Sequence, residues 1–241
     1  MKNKLNHLIA SQYFSFIVTV LLFIILYGAG IAIYKGFMRP QVFLNLFIDN
    51  AALIIVTVGI TFTLIIAGID LSVGAVLALV CMVLAWLLVH TSIPVGVAVL
   101  LVMIMGTAFG AAQGYIITKF DLQPFIITLA GMFFCRGLTA VISQDTITIS
   151  DPTWVALASY RINLGVGFVS IGAVVALLAI IAAGIVLKFT KFGRTVFAIG
   201  GSESSAALMG LPVFRTKVMV YAIYGFCSAL GGLAYSLIML T

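Results

Sequence analysis

Apolar residues run along this chain in long uninterrupted blocks, and the polar residues gather in the gaps between them. Seven blocks are legible: Tyr13–Tyr34, Ala51–Ile69, Leu71–Val89, Ile93–Thr118, Leu122–Gln144, Ile162–Leu187 and Val218–Thr241. Roughly 20 apolar residues in a helix cross about 30 Å of hydrocarbon. The pattern therefore predicts an all-α polytopic transmembrane helix bundle of about seven spans. The polar break His90-Thr91-Ser92 separates the third block from the fourth, whereas Asp70 divides the second from the third with hardly any loop.

Composition agrees with this reading. Of 241 residues 64% are hydrophobic and 7% charged, against about a quarter charged in soluble domains. The net charge of +6 would suit nucleic acid, but the positive residues lie in a few loops beside apolar blocks. That placement suits membrane topology and lipid headgroups, and no nucleic-acid partner is expected. The segment from Lys188 to Lys217 carries Lys188, Lys191, Arg194, Arg215 and Lys217 against Glu203. The positive-inside rule puts it in the cytoplasm. Counting spans backwards places residues 145–161 outside and the N-terminus, with Lys2 and Lys4, in the cytoplasm; Lys35 and Arg39 are the exception. The first block is too long for the apolar core of a signal peptide and ends without a cleavage site, so it reads as a retained span.

Cys81, Cys135 and Cys227 lie inside apolar blocks, and His7 and His90 stand alone, so no metal site is expected. No Gly-Lys dipeptide occurs, which excludes a Walker A P-loop; His-Glu-x-x-His and Gly-x-Ser-x-Gly are also missing. The chain is expected to be no enzyme and to hold no cofactor of its own. Gly106, Gly110 and Gly114 recur every four residues on one face of the fourth block. Small residues at that spacing let two helix backbones approach closely.

Four segments could carry function. The first is Gly68-Ile69-Asp70-Leu71-Ser72-Val73-Gly74. A charged Asp at the centre of a span costs about 2.5–3.5 kcal/mol. Two readings offset this: Asp70 caps the start of the next helix, with Gly68 and Gly74 permitting a sharp reversal, or Asp70 and Ser72 take part in solute passage or gating. The second is Gln123-Pro124-Phe125-Ile126-Ile127-Thr128-Leu129-Ala130-Gly131, followed by Arg136-Gly137. Pro124 suits a helix start, which puts Arg136 about 18 Å further along. There it snorkels, pairs with a carboxylate, or faces a water-filled path along with Phe125 and Thr128. The third is Phe192-Gly193-Arg194, and the fourth Ile199-Gly200-Gly201-Ser202-Glu203 with Leu208-Met209-Gly210. Ser202 is a good N-cap, Gly210 suits the C′ position, and Pro212 follows, which predicts a short helix of about two turns. An apolar-tipped helix in a basic loop is either a docking peg or an interfacial helix on the headgroups.

Together these segments resemble the permease subunits of ribose-, galactose- and galactofuranose-type ABC importers. The resemblance covers nearly the whole chain. It implies a single transmembrane permease domain over residues 1–241, C-terminally incomplete relative to the family. It implies that Gly200, Gly201, Ser202, Glu203, Leu208, Met209 and Gly210 form the coupling loop to the ATPase. Where the family pattern has two Ala after Glu203, this chain has Ser204 and Ser205; Ser202 replaces an Asn. The implied partners are ABC ATP-binding subunits, which carry the ATP and Mg, a second permease copy or paralogue, a periplasmic sugar-binding protein and the sugar substrate. The implied location is the inner membrane. The competing class is a secondary transporter or channel without an ATPase, which would need intramembrane ionisable groups; only Asp70 and Arg136 qualify.

Overall fold

The computed structural model describes residues 14–240. Lys2, Lys4 and His7, with the N-terminal placement argued from the two lysines, fall outside that range, as does Thr241. The chain divides into two units, residues 1–45 and 46–241. The smaller contains helix α1 (Phe14–Ile33) and the start of α2 (Pro40–Asp49). Within it Tyr27 gathers the rings of Phe23, Phe37 and Phe43 at centroid distances of 5.7, 5.2 and 6.1 Å.

The larger unit is a helix bundle. Its elements are α3 (Ala51–Ile65), α4 (Val73–His90), α5 (Val95–Lys119), α6 (Pro124–Ile142), α7 (Pro152–Ser159), strands β1 (Arg161–Asn163) and β2 (Phe168–Ser170), α8 (Ile171–Phe189), α9 (Lys191–Gly201), α10 (Glu203–Leu208) and α11 (Val213–Met239). Among the described residues six helices are long and apolar enough to span a membrane, and the α2–α3 pair, bent by 53°, makes up to seven. The expected all-α polytopic bundle is what forms.

The sixth block departs from expectation. A helix from Ile162 was predicted, but residues 161–170 form an antiparallel hairpin in which Ile162 pairs with Val169. The apolar run hides a turn. Asn163 Oδ1 accepts the Gly165 N–H at 2.8 Å, Gly165 adopts φ +82°, and the Leu164 N–H reaches the Gly167 carbonyl at 2.8 Å. Asn and Gly in the middle of the run thus outweigh its hydropathy. The span starts at Ile171, where Ser170 Oγ accepts the Ala173 N–H. Helix α7, which the apolar pattern did not resolve, is capped by Asp151 through the Thr153 and Trp154 N–H groups.

Helix α11 is the axis of the bundle and packs on α3, α4 and α5. Against α5 the contact is antiparallel. A Cβ added at Gly106 would lie 2.7 Å from the Ala229 Cβ, and one at Gly114 would lie 2.7 Å from the Tyr221 Cβ. One at Gly110 would overlap the Tyr221 carbonyl oxygen, and one at Gly225 the Gly106 carbonyl oxygen. Hydrocarbon gives two helices no hydrophobic reason to associate, so backbone approach and dispersion must do it. The glycine face of α5 makes that approach.

Candidate functional site

Three helices end at the same face of the bundle, and each ends in the same way. In α3 the Gly68 N–H bonds the Thr63 carbonyl and the Ala67 N–H that of Leu64. In α10 the Leu211 N–H bonds Ala206 and the Gly210 N–H bonds Ala207. In α5 the Leu122 N–H bonds Ile117. These bonds, each around a left-handed residue, are Schellman-type stops. The left-handed residues are Ala67 (φ 57°), Gly210 (φ 75°) and Asp121 (φ 51°). The sharp reversal after α3 is therefore made by Ala67, and neither Gly68 nor Gly74 makes it. Gly68 serves close packing, since a Cβ there would lie 2.7 Å from Tyr221 Oη, and Gly74 faces open space.

The short helix α10 is built as its residues dictate. Ser202 Oγ accepts the Ser205 N–H at 3.2 Å and donates to Ser205 Oγ at 2.9 Å. Glu203 sits in the first turn, where a carboxylate suits the positive helix end. Lys217 Nζ reaches both its oxygens, at 2.8 and 3.0 Å, and ties α10 to α11. Leu208 is 90% exposed and Met209 67% exposed, so the tip is apolar and free. The preceding α9 closes on α3, since a Cβ at Gly200 would overlap the Ile65 carbonyl oxygen; Gly201 has open space around it. The peg is thus braced on two sides, by Gly200 against α3 and by Glu203 against α11.

Asp70 and Ser72 lie deeper, in a buried polar node. Asp70 Oδ1 accepts the Ser72 N–H at 2.7 Å and the Ser72 hydroxyl at 2.8 Å. The residue before α4 is Ser72, so the carboxylate closes a turn ahead of the helix and does not cap its first turn. Tyr224 Oη stands 3.2 Å from Ser72 Oγ, and Gln113 Oε1 3.3 Å from it. A serine has one hydroxyl hydrogen, and Asp70 takes it. The Tyr224 hydroxyl is therefore free to donate to the same serine oxygen, while Gln113 closes the node from α5. Thr128 is buried beside the node, with its hydroxyl 3.2 Å from the Ile69 carbonyl, and joins α6 to it. Gly131 leaves room for Gln113, whose amide would overlap any Cβ there.

The remaining candidates do not join this node. Phe125 is half exposed on α6. Arg136 is exposed on the same helix, and among the described residues no hydrogen bond or ion pair holds it. Tyr221, Tyr224 and Gln113 were missed by reading motifs. Their signals were a lone amide between Gly110 and Gly114, and Lys217, Tyr221 and Tyr224 at helical spacing.

A family model for the permease component of branched-chain amino acid transport systems matches residues 42–241. The fructose import permease protein FruG of Bifidobacterium longum is 36% identical over 225 residues, which cover 90% of this chain and 66% of the relative. The inner membrane ABC transporter permease protein YjfF of Escherichia coli is 37% identical over 91% of this chain and 67% of its own length. The ribose import permease protein RbsC of Haemophilus influenzae is 34% identical over 97% and 72%. The chain spans about two thirds of the length of these relatives. No solved structure matches. With a helix bundle of this make-up and a match over all but its first 41 residues, the chain belongs to the branched-chain amino acid transport system permease-component family of multi-pass membrane proteins.

Proposed function

We propose that this chain is the membrane-spanning permease subunit of an ATP-driven ABC importer in the inner membrane. The observation that carries the reading is α10, a short helix with an exposed Leu208–Met209 tip, braced on α3 by Gly200 and on α11 by Glu203–Lys217. Such a peg gives a cytoplasmic ATP-binding subunit an apolar point to grip. The chain has no P-loop, so ATP and Mg belong to that partner. The basic residues from Lys188 to Lys217 favour the cytoplasm for this end of the bundle.

Closure of two ATP-binding subunits would push the peg. Gly200 would pass the push to the end of α3, and Lys217 would pass it to α11. Both helices lead to the Asp70–Ser72–Tyr224 node, where Thr128 and Gln113 add α6 and α5. A shift there would reorient the helices around a central path shared with a second permease copy or paralogue. A periplasmic binding protein would deliver the solute. The relatives FruG and RbsC are named for fructose and ribose import, which favours a sugar over the amino acid of the family description. Exposed Phe125 and Arg136 on α6 are the path candidates.

The test is the double variant Glu203→Lys with Gly210→Leu, which reverses the peg's charge and removes its left-handed stop. Sugar uptake in membrane vesicles holding the complete complex should uncouple from ATP hydrolysis. Uptake that stays at the wild-type rate would sink the proposal.

A further inference from the structure

Asp70 is 9% exposed and Gln113 3%, and each keeps a polar atom with no hydrogen-bond partner, Oδ2 in the one and Nε2 in the other. Both atoms are walled off from solvent by this chain itself, so a side chain of a neighbouring protein does not reach them. Buried polar groups are normally paired, and an orphan carboxylate oxygen is the costliest kind to leave.

An ionised Asp70 fits these surroundings badly. Among the described residues the one ion pair joins Glu203 to Lys217, so no lysine or arginine neutralises Asp70. The titratable groups within its electrostatic reach are Cys135 on α6 and Tyr221 and Tyr224 on α11. A thiol and two phenols bring no positive charge. The start of α4 favours a negative charge nearby, and Oδ1 accepts two hydrogen bonds. Those gains are smaller than the cost of holding an unpaired ion away from water, and a group so placed neutralises instead.

The hydrogens available to the node favour the neutral form as well. Ser72 Oγ lies 2.8 Å from Asp70 Oδ1, 3.3 Å from Gln113 Oε1 and 3.2 Å from Tyr224 Oη. With Asp70 ionised, the single Ser72 hydrogen goes to the carboxylate, and Gln113 Oε1 faces the serine oxygen with no hydrogen between them. Turning the Gln113 amide over exchanges an orphan nitrogen for an orphan oxygen and leaves Oδ2 as it was. One proton added on Oδ1 orders the whole chain. Asp70 then donates to Ser72 Oγ, Ser72 donates on to Gln113 Oε1, and Tyr224 donates to Ser72. Oδ1 still accepts the Ser72 N–H, and Oδ2 becomes the carbonyl oxygen of an uncharged acid.

We infer that Asp70 is a proton-binding site: the closed node holds it as a neutral carboxylic acid, and opening of the node to water releases the proton. The proton comes from water and returns to it. The ratio of closed to open nodes then falls about tenfold for each pH unit over which only the closed node keeps the proton. In a transporter this makes helix movement at the node a proton-linked step. That last link rests on the importer reading; the proton site does not.

Infrared spectroscopy of the permease in detergent tests the site without any partner. At neutral pH the wild type should show the carbonyl stretch of a protonated carboxyl, shifted by ¹³C-aspartate labelling and missing from Asp70→Asn. No such band, or a band that survives in Asp70→Asn, overturns the proton site; a bound cation or water on Oδ2 would give that result. Thermal melting is the second readout. The folded state binds this proton more tightly than the unfolded one, so wild-type stability drops as pH rises above the ordinary Asp value of about 4. Asp70→Asn, permanently neutral, lacks that drop and should melt increasingly above wild type as pH rises; a constant difference between the two overturns the site. The variant cannot release a proton, so its closed node persists and ATP-driven uptake should fall about tenfold or more despite the higher melting temperature. Uptake at the wild-type rate overturns the release step. A wild type without ATP-driven uptake sinks the importer reading instead, and the infrared and melting results still decide the proton site.

Discussion

Lys217 Nζ lies 2.8 Å from Glu203 Oε1 and 3.0 Å from Oε2, which fixes the first residue of α10 to the start of α11. Glu203 is half exposed and Lys217 is not, so the lysine is held while the carboxylate keeps a free side. An ion pair with one exposed member contributes at most about 1 kcal/mol, and salt weakens it. Its value here is orientation. Lys217→Met should therefore leave the melting temperature in detergent nearly unchanged, while ATP-driven uptake should drop. A loss of thermal stability as large as that of a core deletion would show that the pair is structural.

Leu208 should behave similarly for a different reason. With 90% of it exposed, Leu208→Glu removes almost no buried contact. Surface changes away from special features shift stability by about 0.5 kcal/mol or less. Thermal unfolding should match wild type, and solute uptake by the assembled transporter should be nearly abolished. Normal uptake in this variant would remove α10 as the gripping point.

Gly110 should be intolerant of any side chain. A Cβ there meets the Tyr221 carbonyl and the Gly225 backbone, neither of which can rotate away. Overpacking of this kind costs about 1–3 kcal/mol. Gly110→Ala should lower the melting temperature of the detergent-solubilised protein clearly. Gly184→Ala, with nothing within 4 Å of the added methyl, should not. Equal melting of the two variants would mean that α5 and α11 do not approach as described.

The polar node should be cooperative. Ser72→Ala removes the group that Asp70, Tyr224 and Gln113 all address, and strands buried polar atoms at about 1–3 kcal/mol. Tyr224→Phe removes one of those contacts and should cost less. In a double-mutant cycle the two losses should fall short of additivity by at least about 0.5 kcal/mol. Simple additivity would mean that the hydroxyls do not act as one network.

Arg136 offers a test in which stability and function move apart. It is the exposed charge inside α6, two thirds of the way along a span, with no partner among the described residues. Arg136→Leu should ease membrane insertion by up to about 2.5–3.5 kcal/mol, read as a higher inserted fraction in a translocation assay. If Arg136 lines the path, uptake falls in the same variant. Uptake that rises with insertion would assign the arginine to snorkelling at the interface.

That the chain is a bundle of six or seven spans was written in the hydropathy blocks, because hydrocarbon demands long apolar runs and tolerates few charges. The peg was equally legible: Ser202, Glu203 and Gly210 act through hydrogen bonds and dihedral preferences that reach only a few residues along the chain. The glycine face of α5 could be read as a place of close approach, although the helix it meets could not. The hairpin at residues 161–170 was hidden by its own hydropathy, and only its Asn and Gly betrayed it. What tertiary structure alone decided is which distant residues meet. Ser72 finds Tyr224 and Gln113, Glu203 finds Lys217, and Gly200 finds the Ile65 carbonyl because α3, α5, α9 and α11 bring their ends together. No local preference encodes those pairs. The node around Asp70 therefore exists only once the helices have packed, since a buried carboxylate or phenol acquires its surroundings from chain segments far away in sequence.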